Sequence, residues 1–304
     1  MNLRKEGKVY LALILAMIFW GMSFIWYKQA FQNFLPLSVI FLRLLISFPL
    51  LLLFAIILRR IRWPRLPDLK YFLLLALFEP FLYFICESYG LVYLSSTLAS
   101  VILATIPLIT PISAYYFYKE RLTVNNFIGI FLSFLGVILV VYAEGRSGNA
   151  PWFGILLIFL AVISTQGYAI LLKRLSGEYN ALSIVWFQNL IGSIYFLPLF
   201  FLLEYKKIPW KILTMSDYLP VIYLSLFASA IAFIFFIEGI KKLGMTRAVV
   251  FTNFIPIVTA IFAVIILNEN FSLMKAGGIF TTILGLFMSQ AAGFPKIRIF
   301  SRVK

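Results

Sequence analysis

Glu79, Tyr83 and Glu87 stand four residues apart in an apolar stretch, and on an α-helix that spacing keeps them within about 40° of one line. A carboxylate in such a setting can exchange a proton or hold the ammonium group of a ligand. Glu79 lies about ten residues from the end of its stretch, roughly 15 Å deep in a helix, which is the middle of a bilayer's hydrocarbon core. An ionisable side chain there is costly and marks a functional site by default; the competing reading is a protonated glutamate that hydrogen-bonds between helices. Pro80 follows directly. A proline inside a helix removes a backbone donor and strands the carbonyl four residues earlier, here that of Ala76, so a break is expected beside the carboxylate. Arg43, in the preceding stretch, matches Glu87 in depth. An Arg43–Glu87 ion pair is the economical expectation, as a fixed structural contact or as an outer gate.

Other polar side chains fall at mid-depth in apolar stretches: Trp20 and Ser23 in the first, Ser164, Thr165, Gln166 and Tyr168 in the sixth, and Ser229 in the eighth. Pro107 and Pro256 interrupt the fourth and ninth stretches at corresponding places, with Thr105 beside one and Asn253 beside the other. Paired helix breaks point to a substrate site in a carrier, so these residues join Glu79, Tyr83 and Glu87 as candidates for substrate binding or coupling. Each also has a plainer reading, since Ser and Thr often hydrogen-bond between helices and Trp often fills space. No catalytic set, metal site or cofactor is expected. The chain has no His, and its one cysteine, Cys86, lies inside an apolar run, which removes the commonest metal ligand and any disulfide framework.

Long helices are needed to hold these residues. Of the 304 residues 63% are hydrophobic and 12% charged, and the mean hydropathy is +1.01; an ordinary soluble domain is roughly 25% charged. Lipid is the expected solvent. Ten apolar stretches of spanning length are visible, near residues 9–30, 35–58, 69–93, 97–118, 124–142, 151–172, 182–203, 218–240, 246–267 and 273–292. The first follows Arg4, Lys5 and Lys8 but runs on too far for a signal peptide, so it is expected to remain as a span. The formal charge of +15 is spread through short loops, a pattern of membrane topology and not of nucleic-acid binding. With both termini inside, 19 of the 26 Lys and Arg residues fall on inner segments and six on outer ones, Arg43 lying within a span. The positive-inside rule then gives an N-in, C-in, multi-pass protein, expected in the plasma (inner) membrane.

A repeat lies beneath the ten stretches. At a constant offset of 149, Asp68 matches Asp217, Gly90 matches Gly239, Thr97 matches Thr246, Pro107 matches Pro256, Glu120 matches Glu269, Gly129 matches Gly278 and Gly136 matches Gly285. Nearer the start of each copy the offset is about 145, pairing Ser38 with Ser183. Five spans per copy is an odd number, so the two copies must face opposite ways, the inverted-repeat plan of many secondary transporters. The expected fold class is therefore an all-α membrane protein of ten transmembrane helices in two inverted five-helix repeats. The first repeat covers residues 1–145, the second 150–293, and a basic cytoplasmic tail 294–304. Glu120 and Glu269 end their spans and read as interfacial caps or ion-pair partners.

Several features together resemble the EamA-type branch of the drug/metabolite transporter superfamily. They are Trp20-Gly21-Met22-Ser23-Phe24 in the first span, the stretch from Pro36 to Arg43 opening the second, the prolines of the fourth and ninth, and Glu120-Arg121-Leu122 followed by Gly129 and Gly136, repeated as Glu269, Gly278 and Gly285. The resemblance covers about residues 8–292. It implies a ten-helix carrier whose central cavity is lined mainly by the first, third, fourth, sixth, eighth and ninth spans, and which moves a small metabolite, often an amino acid, outward. The copies differ where Asn268-Glu269-Asn270 answers Lys119-Glu120-Arg121 and where Gln188 answers Arg43.

The expected function is a secondary transporter working by alternating access, with a small-molecule substrate, the lipid bilayer and protons as partners. A phosphate-cradling Gly-rich loop is missing, which disfavours ATP-driven transport by this chain alone. Two deep acids, many aromatics and one deep arginine suit an amino acid, an amine or an aromatic metabolite. A nucleotide sugar or sugar phosphate should call for more than one buried cation. The alternatives from other classes are an intramembrane enzyme with Glu79 and Tyr83 as acid and base, and a non-transporting membrane scaffold. Substrate, direction, coupling ion and oligomeric state are not legible in the sequence.

Overall fold

A computed structural model describes residues 3–109, 124–145, 152–244 and 248–290. Glu120, Arg121 and the tail 294–304 lie outside the described residues. All regular structure within them is helical, in ten segments: α1 (Leu3–Ala30), α2 (Pro36–Ile57), α3 (Leu66–Tyr93), α4 (Ser96–Ile109), α5 (Val124–Gly145), α6 (Trp152–Glu178), α7 (Ala181–Lys207), α8 (Met215–Leu243), α9 (Phe251–Leu267) and α10 (Leu273–Gln290). Seven are long and apolar enough to cross a membrane; α4, α9 and α10 are shorter apolar helices. Phe131 and Phe280 are 66% and 68% exposed, and Leu202 80%. An outer surface this apolar needs lipid against it.

Local chemistry sets the helix ends. Pro36 opens α2, where its missing N–H would have had no partner in any case. Asn180 caps α7 by accepting from the Ser183 N–H at 2.8 Å, and Thr214 with Asp217 forms a capping box on α8. Asn268 ends α9 in the left-handed region, φ 53°, a conformation Asn tolerates better than most residues. Glu269 does not cap its own helix. Its carboxylate crosses to the start of α4 and accepts from the Ser96 N–H at 2.7 Å, the Thr97 N–H at 3.3 Å and the Thr97 hydroxyl at 2.8 Å. Glu204, at the end of α7, does the same for α2, accepting from the Ser38 N–H at 2.7 Å and its hydroxyl at 2.6 Å. Because a helix start carries unsatisfied donors, Glu269→Ala is expected to lower stability by about 1–2 kcal/mol, read as a fall in the melting temperature of the purified protein.

Two helix pairs place corresponding elements of the repeat against each other, running in opposite directions. Along α2 and α7 the contacts descend in order: Ser38 meets Glu204, Ser47 meets Asn189, and Arg62, just beyond α2, meets Ser183. Along α5 and α10 the contact is reciprocal. Gly129 abuts the backbone of Gly285, Gly136 that of Gly278, and the Ser133 hydroxyl donates to the Thr282 carbonyl at 2.8 Å. A residue and its counterpart at offset 149 therefore swap places across this seam.

The remaining helices enclose the centre. α1 packs on α8 and α9, and α6 packs correspondingly on α3 and α4. Both α3 and α8 lose regularity midway. Each widens into a π-type turn, at Leu77–Leu82 and at Leu224–Ile231, and these stretches correspond at the repeat offset. In α3 the widening carries Glu79 in extended backbone, φ −147° and ψ 118°, followed by Pro80, so the break expected from the proline is present. A carbonyl in each turn accepts from a side chain of the neighbouring half: Ser164 Oγ donates to Phe78 O at 2.7 Å, and Trp20 Nε1 donates to Ala228 O at 3.2 Å. Irregular backbone inside a membrane protein survives where protein or a cavity covers it.

Candidate functional site

The widened turn of α3 faces an internal cavity of about 130 Å³. Its walls come from α1, α3, α4, α6, α8 and α9, with α2 contributing Arg43. Cavities on the order of 150 Å³ take up a molecule the size of benzene, so the space as it stands suits a small metabolite.

Glu79 is the residue the fold treats most unusually. It is 7% exposed and lines the cavity, yet among the described residues its carboxylate has no hydrogen-bond partner. Tyr83 and Glu87 continue the stripe into the same wall, and the Tyr83 hydroxyl donates to Glu87 at 3.0 Å. All three line the cavity, Tyr83 and Glu87 one helical turn apart and Glu79 brought to the same wall through the widened turn.

Arg43 reaches the cavity from α2, but not through the expected ion pair. The two ion pairs among the described residues are Arg65 with Glu178 and Lys275 with Glu144. Arg43 Nε instead donates to the Ser229 hydroxyl at 2.7 Å and Nη1 to the Tyr27 hydroxyl at 2.6 Å, and the guanidinium lies over the Phe84 ring at 4.1 Å. Tyr27, fully buried, interacts with both Arg43 and Glu87. A phenol therefore stands between cation and acid, because it can accept from one and donate to the other. Nη2 of Arg43 has no partner among the described residues.

The other candidates divide. Trp20, Ser23, Gln166 and Tyr168 line the cavity. Trp20 presents its ring edge-on to Phe233 and Phe236, centroids 5.2 and 5.0 Å away. Tyr168 donates to Gln188 at 3.1 Å, so the counterpart of Arg43 also serves the cavity wall, one side chain removed. Ser164 and Thr105 do not line it: Ser164 serves the broken backbone of α3, and Thr105 bonds back to the Ile102 carbonyl at 2.6 Å. Ser229 holds Arg43 without lining the cavity itself. Asn253 is buried outside the lining, with neither amide atom bonded among the described residues; its neighbours Thr252 and Ile255 take the lining positions. Pro107 and Pro256 both lie beside backbone irregularities, a turn at residues 104–105 and a 3₁₀ stretch at Val250–Phe254. Pro256 sits in the first turn of the regular helix that follows, where proline is tolerated.

Sequence reasoning missed Tyr27, Phe84, Phe233 and Phe236. They are ordinary aromatics in apolar stretches rich in aromatics, and only the tertiary packing of α1 and α8 against α2 and α3 singles them out. The polarity of the wall is uneven. At offset 149 the counterparts of Glu79, Tyr83 and Glu87 are Ala228, Ala232 and Phe236, so the charged groups all come from the first copy.

Residues 7–142 and 152–290 match the EamA-like transporter family. The chain belongs to that family. It is a multi-pass membrane transporter, with the small-molecule substrate and bilayer that an EamA-like transporter implies, and the resemblance found in the motifs of the first, second, fourth and ninth spans holds. Relatives support the assignment at full length. An "Uncharacterized transporter YetK" of Bacillus subtilis is 29% identical over 94% of this chain and 88% of its own length, and an "Uncharacterized transporter" of Archaeoglobus fulgidus is 28% identical over 92% and 98%. A solved chain described as "Crystal structure of protein" superposes with a TM-score of 0.70 over 93% of this chain and 98% of its own, at 16% identity. That likeness speaks for the fold alone.

Proposed function

We propose that this EamA-like protein is a secondary transporter that carries an amino acid, an amine or an aromatic metabolite out across the plasma membrane by alternating access. The carrying observation is Glu79: a carboxylate at mid-helix, facing a cavity of small-metabolite size with no hydrogen-bond partner among the described residues. A buried acid left in that state needs a proton or a cationic ligand. Glu79 takes the substrate ammonium or the coupling proton, the uncommitted nitrogen of Arg43 takes a carboxylate, and Trp20, Phe233 and Phe236 cover an apolar side chain. Tyr83, Gln166 and Tyr168 supply orienting hydrogen bonds, and the Arg43, Tyr27 and Glu87 chain serves as the outer gate.

The architecture of this reading is ten spans in two inverted repeats, residues 1–145 and 150–293, with a cytoplasmic tail at 294–304 and both termini inside. The antiparallel pairing of α2 with α7 and the reciprocal seam of α5 with α10 support it, as do the two widened turns at corresponding places. The two copies rock about the cavity between them. Counterflow in proteoliposomes against labelled amino acids and amines tests the function. Preloaded unlabelled substrate should drive uptake of at least one compound well above protein-free vesicles, and equal signals across the whole panel would reject this substrate class.

A further inference from the structure

A second cavity, of about 420 Å³, opens where three helix ends meet, and it is lined by Arg59, Arg60, Arg62 and Lys241, with Glu178 the acid among them. Arg59, Arg60 and Arg62 follow α2, Glu178 closes α6, and Lys241 lies in the last turn of α8. The frame is built by specific bonds. Asn180 Nδ2 donates to Arg60 O at 2.6 Å, Arg62 N to Ser183 Oγ at 2.8 Å, Arg62 Nη1 to Glu178 O at 3.2 Å, and Lys241 Nζ to Tyr179 O at 3.2 Å. Arg59 is held at φ 50°, a region non-glycine residues seldom occupy and in which a surrounding structure must hold them.

The charge in this niche is unanswered. Glu178 turns to Arg65, which is outside the lining, at 3.7 Å, and among the described residues none of the four lining cations has a carboxylate within ion-pair distance. Directly before Arg59, the residues Ile56, Ile57 and Leu58 are 59%, 65% and 55% exposed, and Trp63 is exposed just beyond, as interfacial tryptophans are. Aliphatic surface thus runs straight into a cluster of guanidinium groups at the level of the membrane interface. Guanidinium matches phosphate geometry, and basic pockets between helices at a membrane face take anionic headgroups.

We propose that this niche binds a phosphate group, and the adjoining aliphatic surface favours the headgroup of an anionic phospholipid as its source. The bound phosphate joins the end of α2 in the first copy to α6 and α8 in the second, so it braces the two copies at this face.

The test is thermal unfolding of the purified full chain in detergent micelles, titrated with phosphatidylglycerol, with phosphatidylcholine, and with inorganic phosphate at constant ionic strength. Phosphatidylglycerol should raise the melting temperature of the wild type and phosphatidylcholine should not. In Arg60→Gln/Lys241→Gln the apparent affinity should fall on the order of thirtyfold, from the loss of two interfacial cations. Lys70→Gln/Arg174→Gln, which removes two cations outside the lining, should respond as wild type does. Stabilisation by inorganic phosphate alone would make free phosphate a sufficient ligand; stabilisation by the lipid alone would identify the headgroup. The proposal is overturned if neither phosphatidylglycerol nor inorganic phosphate has an effect, or if the niche variant responds like wild type, or if both double variants lose the response equally. Native mass spectrometry keeps the result readable if the niche variant melts early, since it should then retain one phosphatidylglycerol fewer than wild type.

Discussion

Glu79→Gln is expected to abolish substrate uptake while leaving the protein folded. Glutamine keeps the size and much of the hydrogen-bonding capacity of glutamate, but it neither carries charge nor exchanges a proton. A charge-assisted hydrogen bond to a ligand is worth about 1.5–3 kcal/mol, so losing it weakens transport on the order of tenfold to a hundredfold. Coupling through the same group would deepen the loss toward zero. Because Glu79 has no hydrogen-bond partner to strand among the described residues, the variant should melt within a few degrees of wild type and stay monodisperse. Counterflow in proteoliposomes, with melting measured on the same preparation, separates the outcomes: uptake at the wild-type rate would make Glu79 a structural acid, and loss of uptake together with loss of fold would place its role in packing.

The second large effect concerns stability. Gly285→Leu should destabilise the protein severely, because even a Cβ at that position would lie 2.6 Å from the carbonyl oxygen of Gly129. The obstacle is backbone, which cannot swing aside as a side chain can. Overpacking of this kind costs about 1–3 kcal/mol where neighbours relax, and more where they do not. Gly177→Leu, at a glycine with open space around it, is the matched control. Size-exclusion profiles and melting curves of the two variants should diverge, with Gly285→Leu largely aggregated; equal behaviour would mean that α5 and α10 can separate freely.

Much of this was legible from spacing. The offset of 149 matched the four glycines, Gly129, Gly136, Gly278 and Gly285, that meet along the α5–α10 seam, although spacing alone did not say that these two helices pack together. Four-residue periodicity put Tyr83 and Glu87 on one wall, while Glu79 reaches that wall through a break that only Pro80 announced. Failures came where a single side chain had to choose among partners in three dimensions. Matching depth allowed Arg43 and Glu87 to pair, but depth carries no angular information, and Tyr27 entered between them. Ser164 and Thr105 had the right depth for the cavity, yet their hydroxyls serve backbone carbonyls, which competes with ligand binding for any short polar side chain in an apolar helix. Glu269 read as a cap, but which helix it caps was not legible: it is adjacent in sequence to α9 and adjacent in space to Ser96 at the start of α4.

The lopsided cavity wall has a consequence for how a cargo would be handed from one side to the other. At the corresponding positions of the second copy, Ala228, Ala232 and Phe236 offer no ionic grip where Glu79 and Glu87 do. A zwitterionic passenger would stay clamped to one copy through the whole cycle, while the aromatic copy slides over it as a lid. Its ionic contacts would then be the same on both faces of the membrane, so any difference in affinity between the two sides would be set by how fully the aromatic lid closes.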